Sequence, residues 1–288
     1  MAEIKADKLK EIIARKKERI LSAKQILTED DLRSKVGGLK PCRPFIEAIN
    51  KPRQVSLIAE IKKASPSRGV IRADFHPSDI ARAYEGSGAQ AISVLTEEDY
   101  FLGNISYLAE VKDAVGLPVL RKDFILEPYQ IYESRYFGAD AVLLIADLLP
   151  KEKLTEFIAL ADSLGMDCLV EAHAEKDLKK ILGLKVTPLS SGDSSGVLPA
   201  GRKASKKTVV VAIGINNRNL HSLEVDLKST EKLYPLIPKD RVVVVESGLN
   251  NRQDVLFLKI LGVNAVLIGE AFMAEADISR KVAEIMGW

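Results

Sequence analysis

The chain has 288 residues, 42 basic side chains against 40 acidic ones, 47% hydrophobic residues and 28% charged ones. This is the composition of a folded globular protein, and a net charge of +2 excludes a general attraction to nucleic acid or an anionic membrane. No apolar run approaches the roughly 18 residues that span a bilayer. The charged first segment lacks a signal-peptide core. Cys42 and Cys168, with no CxxC, give neither a disulfide framework nor a Cys-rich metal site. The expectation is a cytoplasmic protein of one domain, because α/β barrels of about 250 residues fold as one unit.

Taken in chain order, residues 1–50 precede the first strand and form a helical extension. Asp7 can cap an amphipathic helix bearing Leu9, Ile12, Ile13, Ile20 and Leu21. Thr28-Glu-Asp-Asp31 reads as the capping box of a second helix stopped at Gly37-Gly38. This extension is either a brace on the bottom of the fold or a lid over its catalytic face.

From residue 55 onward the pattern repeats. Gly88-Ala-Gln-Ala-Ile-Ser-Val-Leu95, Gly138-Ala-Asp-Ala-Val-Leu-Leu-Ile145 and Gly262-Val-Asn-Ala-Val-Leu-Ile-Gly269 each join a helix-stopping glycine to a continuous apolar run. Such runs suit parallel strands covered on both faces. The first two glycines are 50 residues apart, or two βα units of about 25 residues. The next interval, 124 residues, exceeds four units by about 20–25. The Ser-, Gly-, Pro- and Lys-rich stretch at 186–207 supplies that surplus as a flexible insertion. Further strands fall at 55–62, 118–123, 167–171, 209–216 and 241–247. Helical spacing occupies 75–86, 129–137, 151–164 and 254–261. Eight such units predict a (β/α)8 TIM barrel over 55–288, with a doubly wound open sheet as the rival.

Barrel active sites sit at the C-terminal strand ends. Those ends carry Glu60 and Lys62, Lys122, Glu171, Asn216 with Arg218, Glu246, and Glu270. Strand alternation turns Glu60 and Lys62 to one side, and likewise Lys122 and Phe124. Two lysines crowded by carboxylates can provide an acid and a base at one pH for work on an anionic substrate. A Schiff-base lysine and a catalytically silent barrel stay open as alternatives. Ser247-Gly248 and Gly269, after strands seven and eight, suit a phosphate held by backbone N–H groups. Glu270 at that place would repel phosphate unless it points away. His76, His173 and His221 share no metal-ligand spacing, so no metal is expected.

The ordered motifs Ala59-Glu-Ile-Lys-Lys-Ala-Ser-Pro-Ser-Arg-Gly69, Ser93-Val-Leu-Thr-Glu97, Leu120-Arg-Lys-Asp-Phe124, Val170-Glu171 with His173, Gly214-Ile-Asn-Asn-Arg-Asn-Leu220 and Glu246-Ser-Gly248 resemble the indole-3-glycerol-phosphate synthase family. The resemblance implies a TIM barrel with an N-terminal helical extension and no cofactor. It also implies closure of the indole pyrrole ring from 1-(2-carboxyphenylamino)-1-deoxyribulose 5-phosphate, with loss of carbon dioxide and water, in tryptophan biosynthesis. By this resemblance Lys122 is the general acid, Glu171 the acid/base of dehydration, Lys62 the partner of the substrate carboxylate, Glu60 a holder of the lysines and Asn216 an orienter of hydroxyls. Ser65, Arg218 and Glu246 would contact substrate, with Phe124, Leu143 and Leu267 flanking its aromatic ring. Ser247, Gly248, Gly269 and the residue at 270 match the phosphate site, where the family often has Ser. The implied partner is a phosphorylated small molecule, and the implied state is a monomer with at most weak association with other tryptophan-pathway enzymes.

The insertion joins the fifth helix to the sixth strand, which assigns it to the bottom face, and lengthening a flexible loop costs only about 0.6 kcal/mol per doubling. Trimming residues 188–206 to a short turn is expected to preserve kcat/KM. A large loss in steady-state assays would give the loop a role that its composition does not reveal.

Overall fold

The computed structural model describes residues 8–185 and 209–288. The Asp7 cap and the insertion at 186–207 lie outside the described residues. The extension contributes three helices, α1 (Lys8–Ile26), α2 (Glu29–Val36) and α3 (Phe45–Ile49). Eight strands follow: β1 (Ser56–Ile61), β2 (Ala91–Leu95), β3 (Val119–Lys122), β4 (Ala141–Ile145), β5 (Asp167–Ala172), β6 (Ala212–Asn216), β7 (Val243–Glu246) and β8 (Ala265–Ile268). All pairings among these eight are parallel and β1 bonds both β2 and β8, so the sheet closes and the open doubly wound alternative is excluded.

Helices cover the outside: α4 (Pro77–Gly86) after β1, α5 (Ser106–Ala114) after β2, α6 (Pro128–Tyr136) after β3, α7 (Lys151–Ser163) after β4 and α8 (Glu175–Leu182) after β5. Then come α9 (Lys228–Leu233), α10 (Arg252–Leu261), the single turn α11 (Glu270–Met273) and α12 (Ile278–Met286). The repeat glycines have the left-handed backbone that their turns need, with φ of 86° at Gly88, 93° at Gly138 and 96° at Gly262. The second helix departs from that rule. Its Thr28–Asp31 capping box is present, but Gly37 continues in right-handed geometry with φ −68°, so no left-handed cap ends it. The sixth strand starts at Ala212 rather than 209.

Strand alternation divides the apolar residues into two cores. Leu57, Ala59, Ile61, Ile92, Val94 and their equivalents face the helices. Ile58, Ala91, Leu120, Ala141, Leu143, Leu169, Ala212, Val244, Ala265 and Leu267 fill the barrel interior. Continuing the inward alternation by one step brings Ile58 to Glu60, Leu120 to Lys122, Leu169 to Glu171 and Val244 to Glu246. The interior is therefore apolar at the bottom and charged at the top.

The extension serves both ends of the barrel. At the bottom, Phe45 and Ile49 of α3 are fully buried in the interior core. The Ile46 N–H donates to Asp167 at 3.0 Å, and the Arg43 guanidinium donates to the carbonyls of Leu117 and Lys112 at 2.8 and 3.1 Å. At the top, α1 buries Leu9, Ile12, Lys16 and Ile20, and Lys16 reaches Glu98 and Asp123 beyond the ends of β2 and β3. The choice between brace and lid thus resolves into α3 below and α1 above. Leu21, expected on the apolar face, is 62% exposed, because the buried stripe runs one residue round from it.

A plug that fills the barrel floor should be costly to hollow out. Phe45→Ala is expected to lower unfolding free energy by about 3–5 kcal/mol in urea titrations. A loss below about 1 kcal/mol would show that α3 merely lies against the barrel.

Candidate active site

The mouth holds a cavity of about 370 Å³ that combines the charged strand ends with an apolar wall including Phe101, Phe124, Leu143 and Leu267. Strand register sets the depth of the charges. Leu95 of β2 pairs with Lys122, Ile145 with Glu171, and Leu267 with Glu246, while Asn216 stands level with Glu246. Lys122 Nζ stands 3.6 Å from Glu171 Oε2 and 3.4 Å from Glu246 Oε2. Lys62 Nζ donates to Glu60 Oε2 at 2.5 Å. The Asn216 side-chain N–H donates to Glu171 Oε1 at 3.0 Å and its oxygen accepts the Arg218 backbone N–H at 2.9 Å. In the free protein Asn216 therefore orients Glu171 directly.

Two glycines make room for these carboxylates. A Cβ on Gly214 would stand 2.6 Å from Glu246 Oε1, and one on Gly269 would overlap Glu60 Oε2. Read from sequence, Gly269 suits a close approach by phosphate. In the structure its missing side chain is already needed by Glu60, whether or not phosphate also comes near.

Burial alone would drive Lys122 to lose its proton, but Glu171, Glu246 and Glu60 outweigh that and raise its pKa above the ordinary lysine value. Burial opposes the charge of Glu171 too, and Lys122 and His173 win, holding it low and ionised. His173 Nε2 lies 2.9 Å from Glu171 Oε1, outside the cavity lining. Glu60 is likewise held below the ordinary range, since Lys62 and Lys122 overcome its desolvation. Glu246 goes the other way. Buried, without a well-formed hydrogen bond to either oxygen and repelled by Glu171, it is pushed up to about 8. One lysine thus sits between an ionised carboxylate and a protonated carboxyl.

Ser247, Gly248, Gly269 and Glu270 line the opposite flank of the cavity. Glu270 does not repel an incoming anion unscreened: its oxygens meet Arg68 Nε at 2.8 Å and Arg218 Nη2 at 3.3 Å. Ser65 lies outside the main cavity, in a small adjoining cleft shared with Leu9 and Ile12 of α1. The residues brought together are thus Glu60, Lys62, Lys122, Glu171, Asn216, Arg218, Glu246, Ser247, Gly248, Gly269 and Glu270, with Phe124, Leu143 and Leu267 as walls.

Sequence reasoning missed Arg68, Phe101 and Lys16. Arg68 stood within a quoted loop without a role. Lys16 had a legible signal, since it lies four residues after Ile12 and four before Ile20, on the apolar stripe itself. Among the described residues, the one grouping of carboxylates with metal-site spacing is Glu97, Glu98 and Asp99. Those groups are taken by the backbone N–H groups of residues 99–101, by Lys16 and by Arg19.

The family described as indole-3-glycerol phosphate synthase matches residues 9–188 and 204–285. The chain is 45% identical over 278 residues to the indole-3-glycerol phosphate synthase of Acetivibrio thermocellus, covering 96% of this chain and 98% of that one. It is 43% identical over 282 residues to that of Neisseria meningitidis serogroup B, covering 97% and 99%. Among solved structures it resembles the tryptophan synthase alpha-subunit from Pyrococcus furiosus, at a TM-score of 0.55 and 17% identity, covering 82% of this chain and 98% of that one. That last likeness concerns the barrel fold alone.

The split between the two buried glutamates is measurable. A carboxyl raised from 4.5 to about 8 contributes stability that is complete below 4.5 and is lost as pH climbs through that window. Glu246→Gln cannot ionise and escapes the loss. Its stability relative to the unaltered protein is therefore expected to rise from about pH 5 to about 8 and then level off, in urea unfolding. A pH-independent difference would contradict the protonated state of Glu246.

Proposed function

The chain belongs to the indole-3-glycerol phosphate synthase family, and from that premise we propose that it converts 1-(2-carboxyphenylamino)-1-deoxyribulose 5-phosphate to indole-3-glycerol phosphate, carbon dioxide and water in tryptophan biosynthesis. The observation that carries the reading is Lys122, held protonated between Glu171 and Glu246 inside a mouth that also offers cations and an apolar wall. The ring carbon bearing the carboxylate attacks the sugar carbonyl, and Lys122 donates a proton to the oxygen as negative charge develops there. Carbon dioxide then departs and the ring regains aromaticity. In the dehydration Glu171, ionised at rest and steadied by Asn216, takes the proton from the neighbouring methylene while the Lys62 ammonium, freed as the carboxylate departs, protonates the hydroxyl, which leaves as water. The proton on Glu171 and one from solvent then restore the two lysines.

The other residues divide by chemistry. Lys62, with Glu60 behind it, meets the substrate carboxylate. Arg218 and the protonated Glu246 offer donors to substrate oxygens, and Ser65 supports the first loop. Phe124, Leu143 and Leu267 flank the aromatic ring. Ser247, Gly248, Gly269 and the segment at Glu270 take the phosphate, with Arg68 and Arg218 masking the Glu270 carboxylate. A Schiff-base reaction at Lys122 is disfavoured, because an ammonium kept charged by the ionised Glu171 and Glu60 is a poor nucleophile.

The chain acts without a cofactor on this reading, since proton transfers and the loss of carbon dioxide and water need only groups already in the mouth. Every residue named comes from one chain, so the reaction asks for no partner subunit's side chain, which suits a monomer. A cytoplasmic setting suits a sequence with only two cysteines, Cys42 and Cys168, and no CxxC. No helix is long and apolar enough to cross a membrane among the described residues.

Appearance of indole fluorescence from the carboxyphenylamino substrate tests the activity, and its absence with folded protein would overturn the reading. Lys122→Ala and Glu171→Gln are each expected to lower kcat about 10²–10⁴-fold while leaving the circular dichroism spectrum unchanged. Turnover close to that of the unaltered protein in either would remove that residue's role.

A further inference from the structure

Lys16 is the unusual residue of α1. A lysine seldom stands on the buried stripe of a helix, yet this one is 2% exposed. Its ammonium meets Asp123 Oδ1 at 2.8 Å and Glu98 Oε2 at 2.6 Å. Burial disfavours its charge, and these two carboxylates outweigh the penalty.

Asp123 directly follows Lys122, and each of its oxygens is shared. Oδ1 takes the Phe124 backbone N–H at 2.8 Å as well as Lys16, while Oδ2 accepts from Thr96 at 2.6 Å and Arg121 at 3.0 Å. Three of these four donors belong to the barrel, and Lys16 alone comes from the extension. The oxygen that Lys16 holds is the one that fixes the turn at Phe124. The Phe124 ring lies 6.4 Å from that of Phe101, and together they form one wall of the cavity. Phe101 is held from the same side. Glu97 accepts its N–H at 3.0 Å, and Arg19 of α1 grips the adjacent Asp99 with contacts of 3.0 and 2.6 Å.

We propose that Lys16 is a positioning residue: acting through Asp123, it sets the Phe124 ring against which the substrate's aromatic ring lies, and so helix α1 governs substrate affinity. This rests on the function proposed above. Lys122 is insulated from the same contact for two reasons. Alternation turns its side chain to the opposite face of β3 from Asp123, and its position is fixed by pairing with Leu95 and by Glu171 and Glu246. Loss of Lys16 should therefore reach binding before it reaches chemistry.

The test compares Lys16→Met with Glu98→Gln. The first removes the ammonium from both carboxylates. The second weakens the same ion pair without touching Asp123 or Phe124. Lys16→Met is expected to raise KM about fivefold or more with kcat within about twofold, whereas Glu98→Gln lowers Tm and leaves KM within about twofold. An unchanged KM in Lys16→Met, or an equal rise in Glu98→Gln, overturns the proposal. Should Lys16→Met fail to accumulate as folded protein, Lys16→Gln, whose shorter neutral amide also removes the ammonium, must raise KM with kcat within about twofold. Binding of the substrate, followed by its own aminobenzoate fluorescence, separates the two readings. A protein that binds without turnover overturns the proposed function alone, while an affinity unaltered at position 16 overturns the role of Lys16 alone.

Discussion

A single ammonium group surrounded by buried carboxylates governs the catalytic end of this barrel. Lys122 cannot stay charged inside a protein without partners, and Glu171 cannot stay ionised at this depth without Lys122. Each member fixes the others: the lysine holds Glu171 ionised, and Glu171 in turn keeps a proton on Glu246. Closure of the sheet makes this possible, because β3, β5 and β7 are not neighbours and meet only across the lumen. Gly214 and Gly269 belong to the same constraint, since any Cβ there would occupy space that Glu246 and Glu60 use.

The two ends of the barrel then follow from one periodicity. Residues two apart on a strand face the same way, so inward positions pass from apolar to charged over one step along several strands. The lower layers exclude water and are sealed by Phe45 and Ile49. The upper layer stays open and charged, crossed by Arg68 and Arg218 on Glu270 and flanked by α1. An apolar floor beneath a charged rim suits an aromatic substrate that carries two anionic groups.

Much of the fold was legible because it repeats. The left-handed glycines at 88, 138 and 262 announce the unit, and the intervals between them count it. The candidate site was legible for a related reason: strand ends are where barrel chemistry gathers, so Glu60, Lys62, Lys122, Glu171, Asn216 and Glu246 could be read from position alone. What escaped was long-range in sequence. Lys16 and Asp123 lie far apart along the chain, and Arg68 meets Glu270 across the closure of the sheet. No local pattern couples such pairs, and a lysine on an apolar stripe reads as a flaw until its carboxylate partners are known.

The sequence by itself determined the architecture, the order of the units and the chemical types gathered at the mouth, because apolar periodicity and turn chemistry are local properties. Tertiary structure alone decided the charge states and the division of labour. Whether a glutamate holds or releases its proton depends on burial and on charges from other strands, and neither is written in its neighbours along the chain. The same holds for the extension. Its helices were predictable from capping and amphipathicity, but only packing sent α3 to the floor and bound α1, through Lys16, to the wall of the site.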